Sequence, residues 1–320
     1  MVKKTLLFLL LAGCNNFKTL AEACEDDLPT LDYITDSGDR GAALRINCYR
    51  RLTNLSRLNI EELPQKALEQ HMSYLEQNTP DLNVFNQFPN QPSFVGSTNR
   101  DRLKAAQYTM PYSSMLTEDV MIFYGANDDI PADLAVDALF TNPFFRPIFL
   151  IPNQVSMAIA HSDYTIDYPE DSNLTDERRQ NFFYDAIHTI PETPYAEAAV
   201  VYPRNGQEDV PAQYTEFIDN MPIPAGETHG FPITFSVGVK EGGVTLDSAS
   251  LIGPNGPLEI QTFAGADASR SLGFDNTAIV VPEVPLLVGQ TYQVNVVLTT
   301  PQGSQNARTE FTVGSNTLGL

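Results

Sequence analysis

Basic residues are scarce in this chain: 19 Lys and Arg stand against 40 Asp and Glu, for a formal charge of -21 over 320 residues. A surface of that sign repels phosphate backbones and anionic headgroups. Nucleic-acid binding is therefore excluded, and so is membrane attachment through a basic patch. No acidic block dominates, which fits solubility better than an acidic interaction tail. Cysteine is rarer still, limited to Cys14, Cys24 and Cys48, and no Cys-x-x-Cys or Cys/His spacing of a zinc site occurs. The sequence has neither a Gly-x-Ser-x-Gly elbow nor a glycine-rich phosphate loop, so it offers no motif for an α/β-hydrolase or a nucleotide cofactor.

What is present begins at the N-terminus. Lys3 and Lys4 precede the apolar run Thr5 to Leu11, which Leu11-Ala12-Gly13-Cys14 closes. The run falls short of the about 20 residues that cross a bilayer as a helix, so it reads as a secretion signal. Its ending resembles a bacterial lipobox, in which small residues precede a cysteine that is acylated and becomes the new N-terminus. That resemblance implies a signal over residues 1–13, lipid on Cys14, and, with Asn15 rather than aspartate next, an outer-membrane address. The competing reading is an ordinary cleaved signal ending at Ala21-Glu22-Ala23, which gives a secreted or periplasmic protein. With Cys14 lipidated, Cys24 and Cys48 remain as one pair for an oxidising compartment. Closing that loop is worth roughly 3 kcal/mol in the chain-entropy model.

Two rhythms follow. Residues 14–39 read as a tether, acidic and without helical periodicity over Glu25–Asp39. From Ala42 the pattern turns helical, with Leu44, Ile46, Tyr49, Leu52, Leu55 and Leu58 two to four residues apart. Leu63, Ala67, Leu68, His71, Met72 and Leu75 predict a second helix with a single apolar face, ending before Asn78-Thr79-Pro80. A long exposed loop is expected over 79–99, short helices at Arg100–Tyr108 and Asp133–Asn142, and strands near Ser156–Ile159 and Ala198–Tyr202. The first domain, 40–217, is thus mixed α/β. In 218–320 short alternating runs appear instead, at Ile233–Val237, Val244–Leu251, Leu258–Phe263, Ala278–Val281, Tyr292–Leu298 and Thr309–Val313, punctuated by Gly and Pro turns. They predict an antiparallel β-sandwich of the immunoglobulin-like kind.

Several segments of the first domain are similar, in order, to a known family. They are Asn47-Cys48-Tyr49-Arg50, then Ala67 with His71 and Tyr74-Leu75, Pro92-Ser93-Phe94-Val95-Gly96, Arg100 and Arg102 to Tyr108, Thr117-Glu118-Asp119-Val120, Asn142-Pro143-Phe144-Phe145-Arg146 with Leu150-Ile151-Pro152, and Val201 to Gln207 with Val210-Pro211. Together they resemble the CAP superfamily, the SCP-like cysteine-rich secretory, antigen-five and pathogenesis-related proteins. The resemblance implies an α-β-α sandwich with a central cleft, where two histidines and two acids often hold a divalent metal. Here the histidine places fall on Phe85 and Phe145. Glu118 keeps one acid, and Asp133 or Asp137 supplies the other. Phenylalanine neither ligates metal nor moves protons, so no metal and no cofactor are expected. A cleft lined by Glu118, Phe85, Phe94, Phe144, Phe145 and Arg146 suits an apolar ligand or an interface.

The expected protein is therefore a non-catalytic envelope lipoprotein that binds a ligand or partner protein. One alternative is a hydrolase of cell-wall or protein substrates with Glu118 as general base beside His71 or His161. Another is a lipid- or sterol-binding protein. His161-Ser162-Asp163 has the residue types of a triad, but neighbours on a strand face opposite ways. His71, on an apolar helix face, reads as a hydrogen-bonded core residue. Asn127, Asp128, Asp129 and Asp133 read as a turn and helix cap rather than a calcium loop.

Overall fold

The computed structural model describes residues 17–24, 33–34, 36–78, 84–110, 114–124, 131–166, 177–189, 199–218, 221–238, 243–268 and 275–315, some of them, 114–124 included, by backbone alone. Cys14, the leader and Asn127–Asp129 lie outside these residues. Helical structure starts with α1 (Leu20–Cys24) and continues with α2 (Ser37–Leu52). Both correct the expected tether. Asp36 is the N-cap of α2, its side chain accepting the N–H groups of Gly38 and Asp39. A cap leaves no apolar period in the sequence, and Gly38 and Gly41 dilute the first turns, so the helix begins five residues before Ala42. α1 is docked rather than free. Leu20 and Ala23 are buried, a Cys24–Cys48 disulfide with Cα atoms 5.0 Å apart joins it to α2, and the Arg51 guanidinium covers Phe17 at 4.7 Å.

Next come β1 (Asn59–Ile60), α3 (Glu62–Gln77), α4 (Asn99–Ala105), β2 (Ser114–Tyr124), α5 (Ala132–Thr141), a 3-10 turn at Arg146–Phe149, β3 (Gln154–Ile166) and β4 (Glu177–Thr189). The expected α3 and α5 are in place, and a Thr98–Asp101 capping box starts the expected short α4. Leu63, counted to the apolar face of α3, is instead 40% exposed. The sheet order is β1-β3-β4-β2, antiparallel except for β1 on β3. Side chains alternate across it. Met157, Ile159, Phe182 and Tyr184 join a core with α2 and α5, whereas Ala158, Ala160 and Phe183 meet Leu68, Met72 and Leu75 of α3. Helices thus cover both faces. β4 was not legible as a strand, because a central strand buried on both faces does not alternate in polarity.

The remaining strands are β5 (Val200–Tyr202), β6 (Gln207–Val210), β7 (Gln213–Thr215), β8 (Thr228–Gly230), β9 (Ile233–Ser236), β10 (Thr245–Gly253), β11 (Gly256–Pro257), β12 (Ile260–Ala264), β13 (Thr277–Pro282), β14 (Thr291–Thr300) and β15 (Gly303–Val313). Each of the six expected runs is a strand. Two sheets form, ordered β11-β10-β14-β15-β6 and β12-β13-β9-β5, with β7 and β8 as a separate hairpin. β14 buries alternate residues Tyr292, Val294, Val296 and Leu298, as the period predicts. β5 and β6 precede the expected boundary at residue 217 yet pair with β9 and β15 beyond it.

One continuous apolar core runs from Tyr49, Phe140 and Phe149 to Phe231, Phe235 and Val294, so the α/β part and the β part are packed together. Arg146 sits at their junction and is fully buried. Its Nε donates to Phe140 O at 2.7 Å, Nη2 to Thr141 O at 3.0 Å and Nη1 to Pro232 O at 2.9 Å. The guanidinium lies 4.8 Å from the Tyr202 ring and 4.9 Å from Phe231. Burial lowers its pKa to about 10, so it stays charged at neutral pH. Arg146→Ala would strand three buried carbonyls and open a void. Urea denaturation should report a loss of about 3 kcal/mol or more, with Arg146→Met no better because it restores volume but no donors. An unchanged midpoint for both variants would contradict this role. Cys48→Ser should cost roughly 3 kcal/mol in the same assay.

Candidate functional site

The residues expected to line one cleft are distributed over separate parts of the fold. Phe144 is 2% exposed and packs edge-on against Phe263 at 5.5 Å, in a cluster with Tyr214, Ile223 and Ile279. Its amide is held by Asn142 Oδ1 at 2.9 Å. Phe145 lies half-buried on the main core, and Arg146 is the buried link described above. Phe144 and Arg146 are enclosed and Phe145 is half-buried, so these neighbours in sequence are split between two apolar clusters. Phe263, Tyr214 and Ile279 of the β strands pack around Phe144, which sequence spacing cannot reveal. Glu118 lies on β2 opposite Asp185 of β4, and its side chain is outside the described residues. Of the two candidates for the second acid, Asp137 is bound by Arg45 at 2.6 and 2.7 Å and by the Tyr49 hydroxyl at 2.8 Å. Asp133 is exposed and accepts the N–H of Leu134 in its own first turn.

His71 is a core histidine, as its position on the apolar face suggests. The Nε2–H donates to Val84 O at 2.7 Å, and Nδ1 accepts from Gln87 Nε2 at 3.2 Å. Both ring nitrogens are occupied, which fixes the neutral tautomer with its proton on Nε2. Burial, reinforced by the Arg102 charge, pushes its pKa down to about 3, so it does not take up a proton near neutral pH. It organises a loop. Gln87 also accepts the N–H of Val95 at 2.8 Å, and Gln87 N donates to Ser97 O at 3.1 Å. Arg102 donates to Phe85 O at 3.0 Å, and the Tyr74 hydroxyl accepts the N–H of Phe88 at 2.9 Å. Gly96 closes the loop against α4, where a Cβ would sit 2.7 Å from the backbone carbon of Asp101 and only glycine fits. On this fixed frame Phe85, Phe88 and Phe94 stand 39%, 47% and 38% exposed. Phe85 and Phe94 are thus brought together with Phe88, which the sequence reading passed over. Its signal was there, a third Phe among Asn, Gln and Pro.

A second constellation joins elements that the sequence keeps apart. His161 of β3 places Nδ1 2.7 Å from Asp39 Oδ1 and 3.9 Å from Asp36 Oδ1 at the start of α2. Asp39 is buried, while His161 is partly exposed. Asp36, Asp39 and His161 each offer one ligand atom within 4.8 Å of the others. The same Asp36 oxygen, however, accepts two helix N–H groups, and the positive end of α2 disfavours a cation there. The arrangement is chemically an oriented ion pair. The Asp39 hydrogen bond raises the His161 pKa above 6.5 against the opposing burial, and Asp36 and Asp163 add to the rise. Burial raises Asp39 above its ordinary 3.8. Asp36-Ser37-Gly38-Asp39 has the residue types of a helix start, a signal the tether reading overlooked. Of the remaining histidines, His229 Nε2 meets Glu227 at 3.2 Å on the β7–β8 hairpin. The His188 side chain lies outside the described residues.

No family model matches this chain, and no curated protein is similar to it.

The His161–Asp39 pair sets a pH dependence. A group whose pKa is raised by folding stabilises the fold below its unfolded pKa and loses that contribution as pH climbs through the folded value. For His161 the loss starts near pH 6.5, and for Asp39 the same sign applies from about pH 4. Denaturation midpoints of the wild type should therefore decline from pH 6.5 into the alkaline range. His161→Gln should flatten that slope, and a wild-type slope surviving in the variant would refute the assignment.

Proposed function

We propose that this chain is a lipid-anchored protein of the bacterial outer membrane that acts by binding rather than by catalysis. It would use a CAP-like α/β module carried beside an immunoglobulin-like β module. The observation that carries the reading is the loop bearing Phe85, Phe88 and Phe94. Three partly exposed aromatic rings sit on a backbone pinned by buried His71, Gln87 and Arg102. Exposed apolar surface costs solubility, and a rigid frame beneath it removes the entropy penalty of ordering the loop on contact. The partner class is an apolar ligand or the apolar segment of an envelope protein.

The CAP-like reading is supported by a four-stranded sheet with helices on both faces, and by the resembling segments falling on α2, α3, α4 and β2 in turn. Two sheets that share one core support the immunoglobulin-like reading of the second part. The lipobox reading is supported by α1. Cleavage after Ala23 would cut inside a docked helix and discard Phe17, Leu20 and most of its buried surface. The hydrolase reading needs His71 or His161 beside Glu118, and both rings are engaged elsewhere. The lipid-binding reading, placed in a cleft at Phe144 and Phe145, is weakened because Phe144 fills a core.

Replacing Phe85, Phe88 and Phe94 together by Ser should abolish enhancement of an apolar fluorescent probe such as bis-anilinonaphthalene sulfonate. It should also remove photocrosslinks from position 89 in intact cells. Thermal stability should change little, because the rings are already partly in water. Wild-type probe binding and crosslinking by the triple variant would rule the surface out.

A further inference from the structure

We infer that the edge formed by α1 and β6 is the membrane-facing end of the molecule, held against phospholipid headgroups by a leash too short to let the body leave. The inference rests on the lipid-anchor reading of Cys14 and deepens it. Three observations fasten the chain from Phe17 onward. Glu208 of β6 donates its N–H to Lys18 O at 2.9 Å, so the N-terminal segment runs alongside the outer edge of β6. The Leu20 N–H meets Asp209 Oδ2 at 2.9 Å, and Lys18 Nζ meets Glu208 Oε1 at 2.5 Å. On the other side, Arg51 donates to Ala23 O and the Cys24–Cys48 bond ties α1 to α2. The exposed Lys18–Glu208 pair contributes little by itself. The buried contacts of Leu20 and Ala23 and the disulfide do most of the holding.

Only Asn15 and Asn16 separate Cys14 from Phe17. Three peptide steps of about 3.8 Å each limit the distance between the Cα atoms of Cys14 and Phe17 to about 11 Å. An acylated Cys14 sits at headgroup level, so Phe17 lies within about 11 Å of that level, with α1 and the β6 edge next to it. The far end follows from strand register. Gln207 pairs with Phe311, while the β14–β15 hairpin turns at Thr300–Gly303. Eight residues of β15 therefore carry that turn about 26 Å from the anchored edge. In this reading the anchor keeps α1 and the β6 edge at the lipid surface, with that turn farther along the sheet. The occupant of this edge is the lipid surface, since no ligand could displace a covalent neighbour.

The test uses the full mature protein in vesicles of phosphatidylethanolamine with a minority of phosphatidylglycerol and nitroxide-headgroup lipid. A fluorescent non-canonical residue is placed at exposed Ala21 or, separately, at exposed Gln302. Quenching should be several-fold stronger at Ala21. About twelve Gly and Ser residues inserted between Asn16 and Phe17 add roughly 20 Å of reach and should erase most of the difference. Equal quenching at both sites in acylated protein, or a difference indifferent to the insert, overturns the orientation and leaves the anchor reading standing. An intact mass with no acyl group on Cys14 overturns the anchor reading and this inference with it.

Discussion

Arg146 is the buried charge at the seam where the two parts of this chain share one core. Among the described residues no carboxylate pairs with it, and its charge is satisfied by carbonyls of α5 and of the segment before β9, with aromatic rings on its faces. Buried charge without such compensation would cost several kcal/mol. The geometry of Phe140, Tyr202 and Phe231 is therefore not free to drift, because each ring also walls the charge. Glu216 is the acidic counterpart. It is buried, accepts the Tyr214 hydroxyl at 2.5 Å and the N–H groups of Phe217 and Ile218 near 3.0 and 2.9 Å, and takes Asn142 Nδ2 at 3.3 Å. Asn142 and Arg146 leave the end of α5 together. That short stretch is where the α/β part reads the position of the β strands.

The part of the fold visible in the sequence is the part with one buried face. α3 carries a clean stripe, and β14 alternates in step, so both are legible. β4 is not, since Phe182, Phe183 and Tyr184 are buried on alternate faces of a central strand. α2 was legible only from Ala42, because its first turn is made by Asp36 rather than by apolar spacing. The segments resembling a CAP domain gave the order of elements but not the fate of their side chains. Phe144, Phe145 and Arg146 have the composition of a cleft wall and the surroundings of a core. What decides between these is packing against β strands more than seventy residues later in the chain, as in Arg146 to Pro232. Spacing within the first domain carries no trace of it.

The histidines make the same point in chemical terms. His71 and His161 have identical side chains and opposite proton affinities. One is enclosed between Val84 O and Gln87, and burial keeps it neutral. The other reaches across from β3 to a buried aspartate, which raises its proton affinity. Both ring nitrogens of His71 are bonded, which leaves it none for proton transfer. His71 instead fixes the loop that carries the exposed aromatic rings, so the polar residue at the centre of that region acts as scaffold.

β6 is a strand of four residues, yet it is where distant parts of the chain meet. Lys18 and Leu20 lie against one side of it. β15 pairs along the other, and Gly314 donates to Val210 O at 2.9 Å. The earliest and latest described segments thus depend on a strand near two thirds of the way along. During synthesis the N-terminal segment emerges first and must wait for β6, some 190 residues behind it, before its contacts exist. Loop closure over that separation makes such pairing late and slow relative to local helices. An intermediate with α2 and α3 formed but the β6 edge bare would present an open strand. That exposes the half-made molecule to chaperone capture or edge-to-edge aggregation.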